Sequence, residues 1–360
     1  MSILAAASSE SGRVQAVFAA VCLTIALLTA LALRLWRPGG IPFPERVKWR
    51  ASAWPLVGVL GAGVFCWWTA SSAFLTYKQA ELVARMGPDA KLELSALSPR
   101  DMAFLATVPP LAAFVVLVAA DAMLKRTGAY DLGLSLARLK SGVFLGILGS
   151  VCVVPLLFGL MVLIDWLYRL LHFQHPDEHE LLHALGQTSD TLVVVPLMLG
   201  AAVVAPLFEE LLFRAHLQTI LRRLFTWFAY GRGTAGEEVM AYDGPTQEPA
   251  GPSADLPSEP PESPSPEIPV ATVVAPAPAP APAPPQAEPV SPAWASWAAI
   301  VVTAALFASV HAMWTWPPIF ILAVCLGYAY ERTGNLWVPI LIHASFNAVS
   351  TLMFLGGLSN

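Results

Sequence analysis

The sequence predicts an all-α fold: a polytopic transmembrane bundle of about eight helical spans with a disordered, proline-rich cytoplasmic loop. Three observations predict it. The 360 residues are 56% hydrophobic and only 12% charged, whereas an ordinary soluble domain is about a quarter charged. The apolar residues gather into runs close to the roughly 20 residues a helix needs to cross a bilayer. Finally, 17 of the 32 prolines lie between Pro245 and Pro292, in a stretch that cannot build a core.

The runs in chain order are 14–35, 54–77, 102–124, 142–171, 191–221, 294–316, 318–332 and 336–355, the seventh being short. A helix is the default in each, because in lipid it satisfies its own backbone polar groups. The first run is too long for the apolar core of a cleavable leader and reads as a retained span. Trp36, Trp54, Trp166, Trp227, Trp294, Trp314 and Trp337 sit near run ends, as interfacial tryptophans do.

Loop charges orient the bundle. Arg34, Arg37, Arg46, Lys48 and Arg50 follow the first run, Lys125, Arg126, Arg138 and Lys140 the third, and Arg222 and Arg223 the fifth. The loop after the fourth is acidic (Asp177, Glu178, Glu180, Asp190). Alternation then places the basic loops in the cytoplasm and both termini outside. The loop 78–101 runs against this pattern, with four basic residues on the outer side.

Residues 235–293 are a different material. They hold nine acidic residues and no Lys or Arg, so the rest of the chain has 20 basic against 16 acidic residues and is mildly basic. Proline lacks the donor that helix and sheet require, and the composition predicts a disordered, partly polyproline-II linker. A tolerated insertion is the simpler account of it, and recruitment of a partner the other. The organisation is therefore N-terminal helices 1–130, a first membrane core 131–234, the linker 235–293 and a second core 294–360. Cys22, Cys66, Cys152 and Cys325 stand alone in apolar runs, which argues against a disulfide framework or a structural zinc cluster. No basic patch suits a nucleic acid.

Three polar patterns interrupt the apolar runs. The first is Glu209-Glu210-Leu-Leu-Phe-Arg214. One buried charge costs about 2.5–3.5 kcal/mol at a helix centre on insertion scales, so three within six residues need partners. Glu210 and Arg214 are spaced to pair along one helix face. Glu209 is turned about 100° away and needs another partner, or serves as a general base. The second is Phe307-Ala-Ser-Val-His311, inside the run 294–316, and the third is His343-Ala-Ser-Phe-Asn347. Each alone has a plain structural reading, as an ion pair, a packed histidine or an interhelical hydrogen bond. Together they predict three helices turning catalytic-type side chains into one wet cavity. Two hydrolytic chemistries fit. In one, Glu209 and His311 activate water while His343 and Asn347 bind the oxyanion. In the other, Glu209, His311 and His343 hold a Zn²⁺ ion.

These motifs resemble those of the CPBP family of intramembrane proteases, which includes type II CAAX prenyl endopeptidases and bacteriocin-processing homologues. The EExxxR motif is Glu209 to Arg214, the FxxxH motif Phe307 to His311, and the HxxxN motif His343 to Asn347. They occur in the family's order, within a core running from about 132 to 355. The resemblance implies a helical membrane protease of the cell membrane acting on a peptide or protein; a prenylated tail, a leader peptide and a membrane-protein segment are all compatible with it. It implies water activation by Glu209 and His311, oxyanion stabilisation by His343 and Asn347, and supporting roles for Glu210 and Arg214. Both metal-dependent and metal-free mechanisms are associated with the family, and the metal-free glutamate is the reading preferred here. Two departures are Ala215, where glycine is common, and the length of the linker.

Two further features are weaker. His172, His175, His179 and His183 form a cluster that suits either a metal or an interfacial amphipathic helix with Leu181, Leu182 and Leu185. Asp165 is placed to line the cavity. A transporter or a non-catalytic scaffold are the competing functional classes; a transporter is disfavoured by the lack of a detectable inverted repeat.

Overall fold

A computed structural model of the chain describes residues 10–32, 53–94, 97–125, 133–173, 180–237 and 292–358. Most of these residues are helical, with no strand among them. In order they form α1 (Glu10–Ala32), α2 (Ala53–Met86), α3 (Pro99–Lys125), α4 (Leu139–Leu170) and the short α5 (Glu180–Gly186). A long helix, α6, opens at Thr191–Leu199 and ends with Thr219–Glu237; α7 (Ala293–Ser309), α8 (Trp316–Thr333) and α9 (Trp337–Leu358) follow. Residues 1–229 and 291–360 make one compact unit. Residues 230–290 form a second unit, of which only 230–237, the end of α6, is described. The linker otherwise lies outside the described residues, as do His175 and His179.

Among the described residues, seven helices are long and apolar enough to cross a membrane, which makes the chain an integral membrane protein. The expected eighth is α7, apolar but only 17 residues long. The short element is thus the sixth run, not the seventh: α8 is complete, while α7 stops at Ser309 inside an unbroken apolar stretch. The stop has a local cause. The chain turns at Val310–Ala312, and a single 3₁₀ turn at Met313–Thr315 leads into α8. Pro317 and Pro318 open that helix in its first turn, where their missing N–H groups cost nothing.

Helix α6 is not uniform. It widens to π geometry at Gly200–Val204, returns to α at Ala205–Glu210, and widens again at Leu211–Gln218. The first widening precedes Pro206, whose ring would clash with the carbonyl four residues back in an α-helix. Close packing against α3 is possible here because residue 200 is glycine; a Cβ would lie 3.0 Å from the Thr107 methyl.

The N-terminal helices belong to the same core as the motif helices. Leu56 and Val59 of α2, and Ala113 and Leu117 of α3, are buried with Phe208, Leu211 and Phe213 of α6 and Phe307 of α7. Helix α9 lies against a small-residue stripe on α4. A Cβ at Gly142, Gly146 or Gly149 would come within 2.5–2.7 Å of side chains of Trp337, Leu341 and Ile342. This is the close approach that small residues permit between membrane helices, and it fixes α9 at the level of His343.

The loop 78–101 is quieter electrostatically than its basic count implies. Helix α2 continues to Met86, and Lys78 pairs with Glu81 at 2.7 Å and Asp101 at 3.3 Å. Arg85 pairs with Glu81, and Arg100 with Asp190 at 3.2 Å.

Candidate active site

The three motifs converge. Glu209, His311, His343 and Asn347 all line one cavity of about 590 Å³, together with Asp165. The two glutamates have separate environments. Glu210 is fully buried and Glu209 keeps 23% of its side chain exposed, as a rotation about the helix axis requires.

Glu210 and Arg214 form a buried floor behind the cavity wall, where Glu210 meets His343. The Arg214 Nε lies 3.0 Å from Glu210 Oε2, with both side chains at zero exposure. None of the three guanidinium nitrogens has a well-aligned hydrogen-bond partner, so this contact is charge attraction rather than a directed bond. The guanidinium also sits 4.7 Å from the centre of the Phe307 ring, a cation–π contact in a desolvated setting. Phe307 meets Phe213 edge-on at 5.0 Å and lies 4.8 and 5.8 Å from the rings of His311 and His343. The phenylalanine that begins the second motif is therefore a hub under both histidines. Sequence reasoning gave it no role; an aromatic four residues from a buried histidine was the available signal. Ala215 is fully buried in the same core.

The histidines are oriented by their Nδ1 atoms. His343 Nδ1 is 3.0 Å from Glu210 Oε1, and its Nε2 is 3.8 Å from Glu209 Oε2. His311 lies in the turn after α7 and not within a helix, which corrects the expectation from the run 294–316. Its Nδ1 is 2.7 Å from the Phe307 carbonyl. A carbonyl only accepts, so Nδ1 carries the hydrogen; in the neutral ring Nε2 then holds the lone pair. The early stop of α7 supplies that acceptor, since the last carbonyls of a helix lack intrahelical partners.

Asn347 donates its amide Nδ2 to the Ala201 carbonyl at 2.8 Å. The reason lies in the first π segment. There the Ala205 N–H bonds to the Gly200 carbonyl, five residues back. The next donor in that register would be residue 206, a proline without an N–H. The Ala201 carbonyl is left free, and Asn347 meets it. One of the two Asn347 amide hydrogens is thus committed to the fold.

The three side chains weighed as metal ligands do not close on a metal position. Among the described residues, no three His, Cys, Asp or Glu side chains form a group able to hold an ion. A metalloprotease is not supported by this donor geometry. Asp165 lines the cavity while pairing with Arg169 at 2.9 Å. Of the histidine cluster, His172 and His183 are exposed, and the amide of Gln187 is 3.3 Å from His183 Nδ1. Helix α5 begins at Glu180; it buries Leu185 and turns Leu182 to the cavity.

A family model described as "Type II CAAX prenyl endopeptidase Rce1-like" matches residues 286–349. The chain carries an Rce1-like segment. It spans the second and third motifs, from before α7 to Asn347 and just beyond, and agrees with the resemblance read from all three. The Rce1-like match supports a protease, and with the apolar helices an intramembrane one. No curated protein and no solved structure matches the chain significantly.

Proposed function

We propose that the protein is an endopeptidase that hydrolyses a peptide bond within the membrane by a metal-free glutamate mechanism. One observation carries the reading: side chains from α6, the α7–α8 turn and α9 line a single cavity, and the segment holding two of these motifs is Rce1-like. Glu209, still partly solvated, takes a proton from water with His311 Nε2 as the second acceptor. The hydroxide attacks the carbonyl carbon of the scissile bond. His343 in its doubly protonated form, with Nδ1–H held by Glu210 and Nε2–H free to donate, and the remaining amide hydrogen of Asn347 donate to the oxygen that becomes negative, as an oxyanion hole does. The proton taken from water then passes to the leaving amine as the carbon–nitrogen bond breaks. Glu210, Arg214 and Phe307 position this set without touching substrate.

The matching family model is described as a type II CAAX prenyl endopeptidase. Here the substrate is a peptide or protein, and a lipidated tail and a leader peptide are both candidates.

The test is cleavage by the full chain purified in detergent, incubated with a peptide library and followed by mass spectrometry. Products should appear with the parent chain and vanish with Glu209→Ala and His311→Ala. Their persistence in both variants would sink the assignment, and a scaffold would yield no products from any chain. Loss of activity on chelation with recovery on added zinc would replace the metal-free step by a metal-bound one.

A further inference from the structure

The cavity has a direction, and the charges flanking the bundle have one too. Its wall residues on α9 run from His343 to Phe354, towards the end of that helix. On α4 they run from Met161 to Tyr168, again towards the helix end. On α6 they run backwards from Glu209 to Gly200, towards the helix start, and Leu182 of α5 is reached as well. In the opposite direction the fully buried Glu210, Arg214 and Phe307 lie behind the wall, against His343 and His311, and are not part of it. The mouth therefore lies where α4 and α9 end and α6 begins.

Contacts fix which helix ends share that side. Trp166 near the end of α4 bonds Gln15 near the start of α1 at 3.4 Å. Arg100 at the start of α3 pairs with Asp190 at the start of α6, and Lys78 of α2 pairs with Asp101. On the floor side, Arg138 before α4 bonds the Gly334 carbonyl between α8 and α9 at 3.0 Å. There too, Arg222 of α6 approaches Glu331 of α8.

The segments joining the floor-side ends, 33–52 and 121–141, hold nine Lys and Arg residues, and Arg222, Arg223 and Arg332 add to them. On the mouth side the loop 78–101 contributes four, with Arg13 and Arg169 beyond it. The count of basic residues in short loops sets orientation, with the richer side cytoplasmic. By this rule the floor faces the cytoplasm.

We propose that the catalytic cavity opens to the extracytoplasmic side, and that its substrate is an apolar, extended polypeptide segment presented on that face rather than a tail in the cytoplasm. This rests on the protease reading above. The wall is largely apolar, with Met161, Ile164, Ile319, Phe346 and Phe354. From His343 to Phe354 the α9 wall rises about 16 Å at 1.5 Å per residue. An extended chain crosses that depth in about five residues. A helix keeps its carbonyls in its own hydrogen bonds, so a scissile carbonyl reaches Glu209 from an unstructured segment or chain end.

The experiment separates the side of the mouth from the existence of cleavage. Thr315→Cys on the cavity wall and Ser141→Cys at the exposed floor-side start of α4 are made in the full chain. Each is treated in intact spheroplasts with a membrane-impermeant maleimide, with the parent chain as background. Thr315→Cys should label before lysis and Ser141→Cys only after it; the reverse order overturns the proposal. Ser350→Cys, a second wall position, gives the same readout if Thr315→Cys does not reach the membrane. In parallel, one apolar reporter segment is fused to a single-span anchor on either face of the membrane. Cleavage of the outer reporter alone supports the proposal, and cleavage of the inner reporter overturns it. If neither is cut while Thr315→Cys labels from outside, the protease reading fails and the direction of the cavity stands.

Discussion

Helix α6 carries two polar belts, and their difference shows what marks a reaction site in lipid. The upper belt is Glu209, Glu210 and Arg214; the lower is His216, Gln218 and Arg222. Both are set in apolar surroundings and need partners there. The lower belt is spent on the fold. His216 is fully buried, with Nδ1 2.7 Å from the Leu211 carbonyl and Nε2 3.1 Å from Asp121. Gln218 donates to the Gly327 carbonyl at 3.1 Å, and Glu331 accepts from Ser296 at 2.7 Å while approaching Arg222 at 3.7 Å. The upper belt spends Glu210 and Arg214 in the same way but leaves Glu209 on the cavity, 3.8 Å from His343 and beyond hydrogen-bond length. Charge within a membrane helix is therefore no mark of chemistry by itself; a carboxylate kept wet beside oriented imidazoles is what the proposed chemistry requires.

The largest expected effect sharpens this contrast. Glu209→Gln should lower the cleavage rate by about 10²–10⁴-fold, the usual worth of general-base catalysis, with the melting temperature in detergent unchanged. Glu331→Gln on α8, the partner of the lower belt, should do the opposite: cleavage per folded molecule holds, while stability falls by about 1–3 kcal/mol from partners left unsatisfied. A Glu331→Gln chain that folds normally yet does not cleave would erase the distinction.

Next in size is the floor. Arg214→Ala removes one partner of a fully buried pair and should cost about 3–5 kcal/mol, read as loss of monodisperse protein and a lower unfolding midpoint. Replacing both partners, Glu210→Gln with Arg214→Met, leaves no uncompensated charge and should be less destabilising than Arg214→Ala alone. If the double replacement is the worse of the two, the floor is not held by the pair.

Much of this was legible in the sequence, because lipid simplifies the rules. Apolar runs became helices, and the cost of burying Glu209, Glu210, Arg214, His311 and His343 separately foretold that they would share a site. Local backbone geometry was not legible. Run 294–316 stays apolar through the turn at Val310–Ala312, so hydropathy could not show that His311 leaves the helix. The π segments on either side of Glu209 and Glu210 do not show in a 3.6-residue periodicity; Pro206 was the one local signal for the first, and the second had none. The lower belt escaped for another reason. Asp121 and His216 are 95 residues apart, and nothing in their spacing pairs them.

The smallest effect tests a residue that stands between the two kinds of belt. Asn347 lines the cavity, as a catalytic donor would, yet it also holds the Ala201 carbonyl that Pro206 leaves free. Asn347→Ala should cost about 1–3 kcal/mol of stability through that orphaned acceptor. Pro206→Ala restores an N–H at the position that the π register aims at the same carbonyl. In the combined variant the stability loss should therefore be smaller than the sum of the two single losses, with a coupling of about 0.5–3 kcal/mol. Simple additivity would mean that the Ala201 carbonyl is not what Asn347 stabilises. The cleavage rate separates the remaining roles. If Asn347 acts only through the backbone of α6, the combined variant regains activity along with stability. If its second amide hydrogen also binds the oxyanion, stability returns and activity does not, because an N–H at residue 206 bonded within α6 cannot donate into the cavity.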